Sequence, residues 1–440
     1  MIHPTDQRYL VKELVPFFSE EGFLEYKLKV EKAYIRALNK IGVCPDEITN
    51  EIITQEIEIE QVKQKEAILK HDIRALVEAL RDKISNPAKP YVHLGLTSYD
   101  VVNTAQALLI KDATKSVVLP KLVQLELELI RLAKEEKNTL QIGRTHGQHA
   151  EPTTFGKEIA VFVDRIGQAM IRIKNANENL RGKLSGAVGS KASFSLIHDP
   201  DELESIFMNE LGLNAAPITT QIVPPEELTN YLCQITIAFG TIADLANDLR
   251  HLQRSEIGEV AESFEKKQVG SSTMPQKRNP LNLENIVSQY RAVMPHIITA
   301  FLNMESEHQR DLRDSAAMRY ILPEILNAFA HSVNRLTRII KTLKVDKDRM
   351  KENLKINRTF YLAEPAYIQF SLQGDPNAYD RVRELTLKAQ QENKLLSDLL
   401  PKDLLETIGD YTGTCKEQVD EITTYWEDKI SELADTYDLK

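Results

Sequence analysis

The chain has 440 residues, of which 42% are hydrophobic and 27% are charged, the balance of an ordinary globular protein. Its 55 lysines and arginines against 65 aspartates and glutamates give a formal net charge of −10, which argues against nucleic acid or an anionic membrane as the main partner. Its three cysteines are far apart and predict a reducing compartment without a disulfide framework. Since no apolar signal core and no apolar run of about 18 residues is found, we expect a cytoplasmic protein.

The chain is longer than the size at which one hydrophobic core usually stops growing, so more than one domain is expected. The pattern of apolar and polar residues changes twice along the chain and predicts three helical domains. Residues 1–115 alternate short helical patterns with turns and predict an N-terminal helical domain. Residues 116–367 carry long helical patterns and predict a central helical-bundle domain, which includes the loop from Val269 to Pro280. Residues 368–440 return to shorter, polar helices around the lone Trp426 and predict a C-terminal helical domain.

The central region is predicted to form five long helices, because its apolar residues recur in alternating steps of four and three. The stripes run from Val118 to Leu132, Phe155 to Leu180, Leu228 to Leu249, Ile286 to Ala300 with a kink at Pro295, and Leu322 to Leu343. Such stripes pack as a nearly parallel bundle, and no strand pattern of comparable length is found, so the predicted fold is all-α. Apolar residues off the stripes, such as Val161, Ile237 and Leu245, predict a second buried face, covered by other copies of the chain or by the other domains.

A loop between two of these helical patterns extends from Val269 to Pro280. It begins with a glycine and two serines and ends with Lys277, Arg278 and Asn279, and its prolines break any helix. Small hydroxyls at one end and anion-holding groups at the other suit a lid over a carboxylate substrate. The alternative is a Gly/Ser loop with ordinary surface charges.

The string Gly-Ser-Ser-x-Met-Pro-x-Lys-x-Asn-Pro in this loop resembles the signature loop of the fumarase/aspartase superfamily of lyases. In that superfamily a loop serine removes a proton from the carbon beside a carboxylate, and fumarate leaves. The resemblance implies that Ser271 is the base, with Ser272 as the alternative. It also implies that Lys277 and Asn279 stabilise the doubly charged carbanion, and that Ser272, Met274 and Asn279 bind substrate.

A second motif, from Gly143 to Thr153, lies between two helical stripes and places His146 in a loop at the end of the bundle. Histidine changes charge near neutral pH and can protonate a departing nitrogen, whereas the alternative is a loop histidine bonded to backbone. The letters Arg-Thr-His-Gly resemble the second conserved region of the adenylosuccinate lyase family. The resemblance implies that His146 is the general acid, that Thr145 binds substrate, and that Glu284 pairs with a histidine of the catalytic site.

A third motif, from Tyr91 to Thr104, places two adjacent hydroxyls at a helix start. Such hydroxyls can bind an anion with the helix N–H groups behind them, whereas the alternative is a plain N-cap. The motif again resembles adenylosuccinate lyases. The resemblance implies that Thr97 and Ser98 hold the succinyl carboxylates of the substrate and that His93 lies close to it.

A fourth motif contains Arg310, Ser315 and Arg319, which could meet over two to three helical turns. Two guanidinium groups and a hydroxyl make a reasonable phosphate clamp, whereas the alternative is surface salt bridging with Asp311 and Asp314. The spacing Arg-Asp-x-x-x-Ser-x-x-x-Arg resembles the phosphate-holding segment of adenylosuccinate lyases. Fumarases, aspartases and argininosuccinate lyases lack it, so this segment selects within the superfamily.

Shorter pieces of the same family are found elsewhere in the chain. The pair Arg8-Tyr9 resembles one that reaches the nucleotide phosphate, and His71 and Asp72 match a piece that contacts the nucleotide. Gln221 resembles a glutamine that touches the substrate from a third direction. The resemblance therefore spans most of residues 1–345.

The resemblance implies an all-helical lyase that releases fumarate by β-elimination from adenylosuccinate, giving AMP, and from the succinyl-carboxamide ribotide SAICAR, giving AICAR, in purine biosynthesis. It implies a small nucleotide substrate, no metal or organic cofactor, and a homotetramer in which each site takes residues from three subunits. Gln276 and the acidic run Val223–Glu227 depart from the family pattern and bear on the substrate. The alternatives are another fumarate-releasing lyase, such as an argininosuccinate lyase, and a catalytically silent structural homologue.

Overall fold

The structure, a computed structural model, describes residues 7–264, 273–274 and 276–437, and their side chains as far as residue 433. The secondary structure of these residues is predominantly helical, which confirms the all-α prediction. The α-helices of the described residues are α1 (Val15–Phe18), α2 (Glu20–Lys40), α3 (Asp46–Ile53), α4 (Ile59–Leu69), α5 (Asp72–Asp82), α6 (Ser98–Ala113), α7 (Leu119–Glu135), α8 (Phe155–Glu178), α9 (Pro200–Leu211), α10 (Glu226–Leu252), α11 (Leu281–Val293), α12 (His296–Leu302), α13 (Arg313–Thr342), α14 (Lys347–Ile356), α15 (Ala363–Leu372), α16 (Ala378–Gln391), α17 (Lys402–Ile408) and α18 (Cys415–Tyr437).

Short strands accompany the helices in pairs. The antiparallel pairs are β1 (Leu140–Thr145) with β2 (Gln148–Thr154) and β5 (Val260–Ala261) with β6 (Lys344–Val345), and the parallel pair is β3 (Arg181–Gly182) with β4 (Asn214–Ala215).

Four of the five long helices predicted from the apolar stripes of the central region are present as single helices. Helices α7, α8, α10 and α13 cover four of the stripes. The predicted kink at Pro295 is wrong, because the stripe forms two helices: α11 ends at Val293 and Pro295 is the N-cap of α12. A proline has no N–H to donate and its ring clashes with the preceding turn, so it can end a helix. Pro323, by contrast, lies inside α13.

The chain divides into two compact units. The first unit comprises Met1–Lys121, Ala169–Phe239 and Tyr290–His331, and the second comprises Leu122–Gln168, Gly240–Gln289 and Ser332–Lys440. The boundaries fall within α7, α8, α10, α11 and α13, so these helices contribute residues to both units. The division into three domains at residues 115 and 367 stays a prediction.

The core of the first unit is built around Tyr34 of α2, whose ring packs edge-to-face on Phe194 and Phe207 at centroid distances of 6.1 and 6.0 Å. Such pairs contribute about 0.5–1.5 kcal/mol each beyond their buried area. The Tyr34 hydroxyl donates to the Leu94 carbonyl at 2.7 Å. The core therefore fixes the segment that leads into α6.

The second unit packs Trp426 of α18 on α8. The indole is buried at the position of Gly167, where an added Cβ would lie 2.3 Å from the ring. The indole N–H donates to Asp164 Oδ1 at 3.1 Å. A glycine at this helical position therefore makes room for the ring.

The apolar residues predicted off the main stripes do not behave alike. Val161 and Ile237 are 43% and 51% exposed, which leaves room for the predicted second face. Leu245 is only 1% exposed within the single chain, so the prediction that another copy covers it is wrong. It belongs to the chain's own helical core.

Candidate active site

The predicted acid, His146, lies in the turn of the β1–β2 hairpin in the second unit. Thr145 pairs with Gln148, and both turn residues have positive φ, 54° for His146 and 73° for Gly147. A two-residue turn with positive φ at both positions matches the twist of the flanking strands. Because the turn is exposed, the predicted loop is a tight hairpin tip that presents the imidazole to solvent.

A buried carboxylate, Glu259, holds the first strand of this hairpin. Arg144 donates from Nη2 to Oε1 at 2.6 Å and from Nη1 to Oε2 at 3.0 Å. Gln141 Nε2 donates to Oε2 at 2.8 Å, and Asn353 Nδ2 of α14 donates to Oε1 at 2.7 Å. The Glu259 side chain is 0% exposed, so its charge is compensated by these donors.

Glu158 of α8 is a half-buried carboxyl beside this network. Burial, and after it the charges of Asp248 and Glu259, raises the pKa of Glu158 to about 7, although Arg144 opposes the shift. Its charge therefore changes near neutral pH.

The described part of the signature loop lies in the second unit, whereas Ser271 and Ser272 lie outside the described residues. Lys277 is exposed, and its backbone N–H donates to the Met274 carbonyl at 3.1 Å. Asn279 is half-buried, and its carbonyl accepts the Leu281 N–H at 2.9 Å. The loop therefore ends in a compact turn at the start of α11.

A second buried carboxylate, Glu262, caps α11. Its Oε1 accepts the Leu283 N–H at 2.8 Å, and its Oε2 accepts Asn282 Nδ2 at 2.7 Å. Pro280, at the local cap position, has no side-chain oxygen to do this. The predicted Glu284 is exposed in the first turn of the helix that Glu262 caps.

In the first unit, Thr97 and Ser98 begin α6, as predicted. The Thr97 hydroxyl oxygen accepts the Asp100 N–H, and the Asp100 carboxylate accepts the Thr97 N–H at 2.8 Å, forming a capping box. The N-cap alternative is therefore realised. It leaves the Thr97 O–H proton able to donate to an anion, since a hydroxyl both accepts and donates.

Behind this helix start lies a buried ion pair. Lys183 Nζ donates to Asp100 Oδ1 at 2.5 Å, and both side chains are 0% exposed. The same Oδ1 accepts the N–H groups of Ser185 and Gly186 at 2.9 and 3.1 Å. Burial lowers the pKa of the Lys183 ammonium, and the Asp100 charge opposes that shift. The pair locks the start of α6 to the loop after β3.

His93 precedes this helix start and has a left-handed φ of 62°. Its Nδ1 lies 2.6 Å from Oε1 of Glu31, a residue of α2 that is 1% exposed. Burial would lower the pKa of the imidazole, but the Glu31 charge and hydrogen bond outweigh it and raise the pKa above its ordinary value. The His93 imidazole is therefore fixed in orientation and readily protonated, so it can donate hydrogen bonds.

Arg310 lies against Tyr99 beside the start of α6. Its guanidinium carbon lies 3.8 Å from the centroid of the Tyr99 ring, and its Nη1 donates to Asp314 at 2.7 Å. Only 9% of the side chain is exposed, and its buried Nε and Nη2 have no hydrogen-bond partner among the described residues. The predicted salt bridge with Asp314 is present, yet it satisfies one side of the guanidinium only.

The other predicted phosphate residues lie on α13. Ser315 is half-buried and Arg319 is exposed, one turn apart on the same face. Burial would raise the pKa of Asp72, but the charge of Lys27, 3.0 Å away, and that of Arg319 lower it below its ordinary value. Asp72 at the start of α5 and Arg319 therefore lie within electrostatic range of each other.

The remaining N-terminal residues are placed by contacts of their neighbours. Arg8 is exposed, and the Tyr9 carbonyl accepts Asn327 Nδ2 of α13 at 2.9 Å. The Tyr9 ring packs on His331 at a centroid distance of 5.3 Å. His71 is the N-cap of α5, and its Nδ1 accepts the Arg74 N–H at 3.3 Å.

Gln221 lies next to the Arg310 segment, because its N–H donates to the Gln309 carbonyl at 3.3 Å. Asn103 of α6 accepts the Val223 N–H at 3.0 Å, so the loop is also fixed to α6. The first unit thus brings together the residues predicted from three separate motifs.

Sequence reasoning missed the carboxylates and the lysine that hold these segments. Glu31, Lys183, Glu259 and Glu262 are buried, and their partners lie in other segments of the chain. No local spacing marks such residues; the one available signal is a charged residue inside an otherwise apolar pattern.

Within the described ranges, no group of three or more His, Cys, Asp and Glu side chains lies close enough to hold a metal ion. A search of the same residues finds no helix with the length and apolar character needed to span a bilayer.

Comparison with known proteins defines first a class. A family described as "Lyase" matches residues 9–294. The fold matches a fumarate lyase from Mesorhizobium sp. BNC1 with a TM-score of 0.83 and 24% identity, covering 94% of this chain and 98% of that one. It matches a 3-carboxy-cis,cis-muconate lactonizing enzyme from Pseudomonas putida with a TM-score of 0.85 and 24% identity, covering 96% and 99%. At this identity the solved structures show the shared fold alone.

A second profile, "Adenylosuccinate lyase C-terminal", matches residues 306–412. Adenylosuccinate lyase from Pyrococcus abyssi is 36% identical over 97% of this chain and 98% of its own length. Its counterpart from Aquifex aeolicus is 36% identical over 90% and 91%. The chain therefore belongs to the adenylosuccinate lyase family.

Proposed function

We propose that this chain cleaves adenylosuccinate to AMP and fumarate, and SAICAR to AICAR and fumarate, by β-elimination. Membership of the adenylosuccinate lyase family supports the reaction, since relatives of that name match nearly the whole chain. The observation that carries the nucleotide assignment is Arg310, because two nitrogens of its buried guanidinium have no hydrogen-bond partner among the described residues and suit a phosphate group.

The burial of Arg310 makes the binding of an anion energetically favourable. Leaving a buried polar N–H without a partner costs about 1–3 kcal/mol, more for a charged group, so the buried Nε and Nη2 favour an incoming anion. Tyr99 supports the plane of the guanidinium, and Asp314 fixes its rotation. A phosphate accepts two parallel N–H groups from one guanidinium, which suits this geometry. Ser315 and Arg319 complete the proposed clamp.

The proposed chemistry uses the residues of the second unit. Ser271 removes the proton from the carbon beside a carboxylate, and the electron pair spreads onto that carboxylate. Lys277 and Asn279 stabilise the doubly charged form, each such donor contributing about 3 kcal/mol. The bond from carbon to nitrogen then breaks, His146 gives its proton to the departing nitrogen, and fumarate and the amine product leave. The exposed positions of Lys277 and of His146 at a hairpin tip are compatible with these roles.

We further propose a homotetramer whose sites take residues from three copies of the chain. The large exposed apolar side chains of α12 support an additional buried surface: Ile298, Phe301 and Leu302 are 60%, 53% and 64% exposed. A patch of this kind marks an interaction surface more often than bare solvent contact. Sedimentation analysis that shows only a monomer would remove this proposal.

The proposed function is tested by fumarate release from adenylosuccinate, SAICAR and argininosuccinate under the same conditions. Turnover of the first two and none of the third supports the assignment; turnover of argininosuccinate alone overturns it. Ser271→Ala should abolish turnover while substrate still binds. Near-normal kcat in that variant would instead remove Ser271 as the base.

A further inference from the structure

Glu259 and Glu262 lie on either side of strand β5, on the segment that leads into the signature loop. Glu259 is 0% exposed and Glu262 is 3% exposed. One accepts hydrogen bonds from the hairpin that carries His146, and the other from the start of the helix that follows the signature loop. One short segment therefore holds both stretches to which catalytic groups of the second unit are assigned.

On the hairpin side, the link is Arg144. It makes two charge-assisted hydrogen bonds to Glu259 and lies two residues before His146, on the strand that leads into the turn. Its Nη1 also donates to the Ile142 carbonyl at 3.2 Å. Paired guanidinium–carboxylate bonds fix orientation as well as distance, so they resist rotation of the strand. A displacement of about 1 Å in a catalytic group can cost a hundredfold in rate, so this restraint matters for His146.

On the loop side, Glu262 acts at two points. Its carboxylate caps α11, where the negative charge also suits the positive end of the helix. Its backbone N–H donates to Gln253 Oε1 at 2.9 Å, and Gln253 Nε2 donates to the Arg278 carbonyl at 3.3 Å. The Gln253 amide thus joins Glu262, on the segment that leads toward the signature loop, to Arg278 near the loop's end.

We propose that Glu259 and Glu262 are positioning residues: Glu259 aligns the His146 hairpin through Arg144, and Glu262, with Gln253, fixes the end of the signature loop that carries Lys277 and Asn279. Neither glutamate touches the reacting atoms in this proposal. The expected effect of these residues on kcat rests on the proposed function, whereas the alignment of the two segments by the glutamates does not.

The alignment of the hairpin and of the start of α11 is tested by hydrogen–deuterium exchange in Glu259→Gln and Glu262→Gln. Each substitution keeps the volume but turns an acceptor oxygen into an N–H₂ group that faces a donor. We expect Glu259→Gln to raise exchange about tenfold or more in residues 140–154 and to leave residues 281–293 unchanged, and Glu262→Gln to do the reverse. Exchange raised equally in both stretches, or in neither, would overturn the proposal.

Glu136→Gln is the matched control. Glu136 is a buried glutamate of the same unit, 2.9 Å from Lys347, and it has no part in the proposed chemistry. We expect it to leave exchange at the hairpin tip and at α11 unchanged. If it reproduced the Glu259→Gln pattern, the effect would be a general consequence of losing a buried charge, and the proposal would be wrong.

The catalytic consequence is tested by kinetics on the same variants. We expect kcat to fall about 10–100-fold in both while KM changes less than about threefold, because alignment is lost and substrate contacts are kept. In the double variant Arg144→Gln/Glu259→Gln, kcat should fall no further than in the more damaged single variant. Additive losses, or kcat within about threefold of wild type in a folded variant, would refute the alignment role. Absence of fumarate release from the wild type would instead refute the proposed function. The exchange data would still decide whether the two glutamates align the hairpin and the start of α11.

Discussion

Two buried carboxylates, Asp100 in the first unit and Glu259 in the second, each accept several hydrogen bonds that fix a neighbouring segment, but their partners differ. Asp100 accepts backbone N–H groups and the Lys183 ammonium. Glu259 accepts from the side chains of Arg144, Gln141 and Asn353. The backbone donors of Asp100 fix the path of the main chain, whereas the side-chain donors of Glu259 fix the alignment of neighbouring segments. The first region should therefore fail by losing its fold, and the second by losing its alignment.

The largest effect should come from Lys183→Met, which leaves Asp100 buried without its counter-charge. Breaking a buried ion pair from one side costs about 3–5 kcal/mol, so we expect a large drop in the free energy of unfolding. The check is chemical denaturation at fixed protein concentration. Lys65→Met is the control, because its ion pair with Asp82 is partly exposed on both sides and should contribute under about 1 kcal/mol. Equal losses in the two variants would erase the contrast between the regions.

Arg310→Met should affect binding rather than folding. It removes the two guanidinium nitrogens that have no partner within the described ranges, and losing one charged partner of such a contact costs about 2–5 kcal/mol. We expect kcat/KM for adenylosuccinate to fall about 100-fold, mainly through KM, as measured by steady-state kinetics. Arg313→Met, which removes an exposed guanidinium paired with Asp311, should leave kcat/KM nearly unchanged. A similar loss in both variants would mean that general positive charge matters and the position of Arg310 does not.

The smallest effect concerns the Glu259 region and depends on pH. Folding raises the pKa of Glu158 from its ordinary 4.5 to about 7, first through burial and then through Asp248 and Glu259. The folded state thus holds this proton more tightly, so the stabilisation is complete below about pH 4.5 and is lost as the pH rises through 7.

Glu158→Gln, which mimics the neutral acid, should therefore raise stability by about 1–3 kcal/mol at pH 8 and by much less at pH 5. Thermal unfolding at both pH values measures this. Glu421→Gln, at an exposed site on α18, should change Tm at neither. A pH-independent gain in Glu158→Gln would show that the side chain is strained and not unfavourably charged.

The sequence allows prediction of the helices and of the motif residues, because both depend on local pattern. The stripes locate α7, α8, α10 and α13, and Thr97 is found at a helix start because capping residues are local signals. The β1–β2 hairpin was missed, because its strands are short and its buried positions do not alternate regularly.

The tertiary contacts that hold the predicted site residues in place could not be predicted from the sequence. Lys183 meets Asp100, and Arg144 meets Glu259, only once the chain has folded, and neither spacing marks a pair in advance. The stacking of Arg310 on Tyr99 likewise joins two motifs that the sequence keeps far apart. Local chemistry is thus readable from sequence, whereas the restraints that orient it depend on tertiary structure.

We propose that this fumarate-releasing lyase holds the nucleotide phosphate of its substrate at Arg310. This role is tested most directly by comparing kcat/KM for adenylosuccinate with that for the same compound lacking its phosphate, in the wild type and in Arg310→Met. We predict that the wild type prefers the phosphorylated substrate by about 100-fold or more and that the preference falls to below about tenfold in the variant. An equal preference in both proteins, or no fumarate from either substrate, would contradict it.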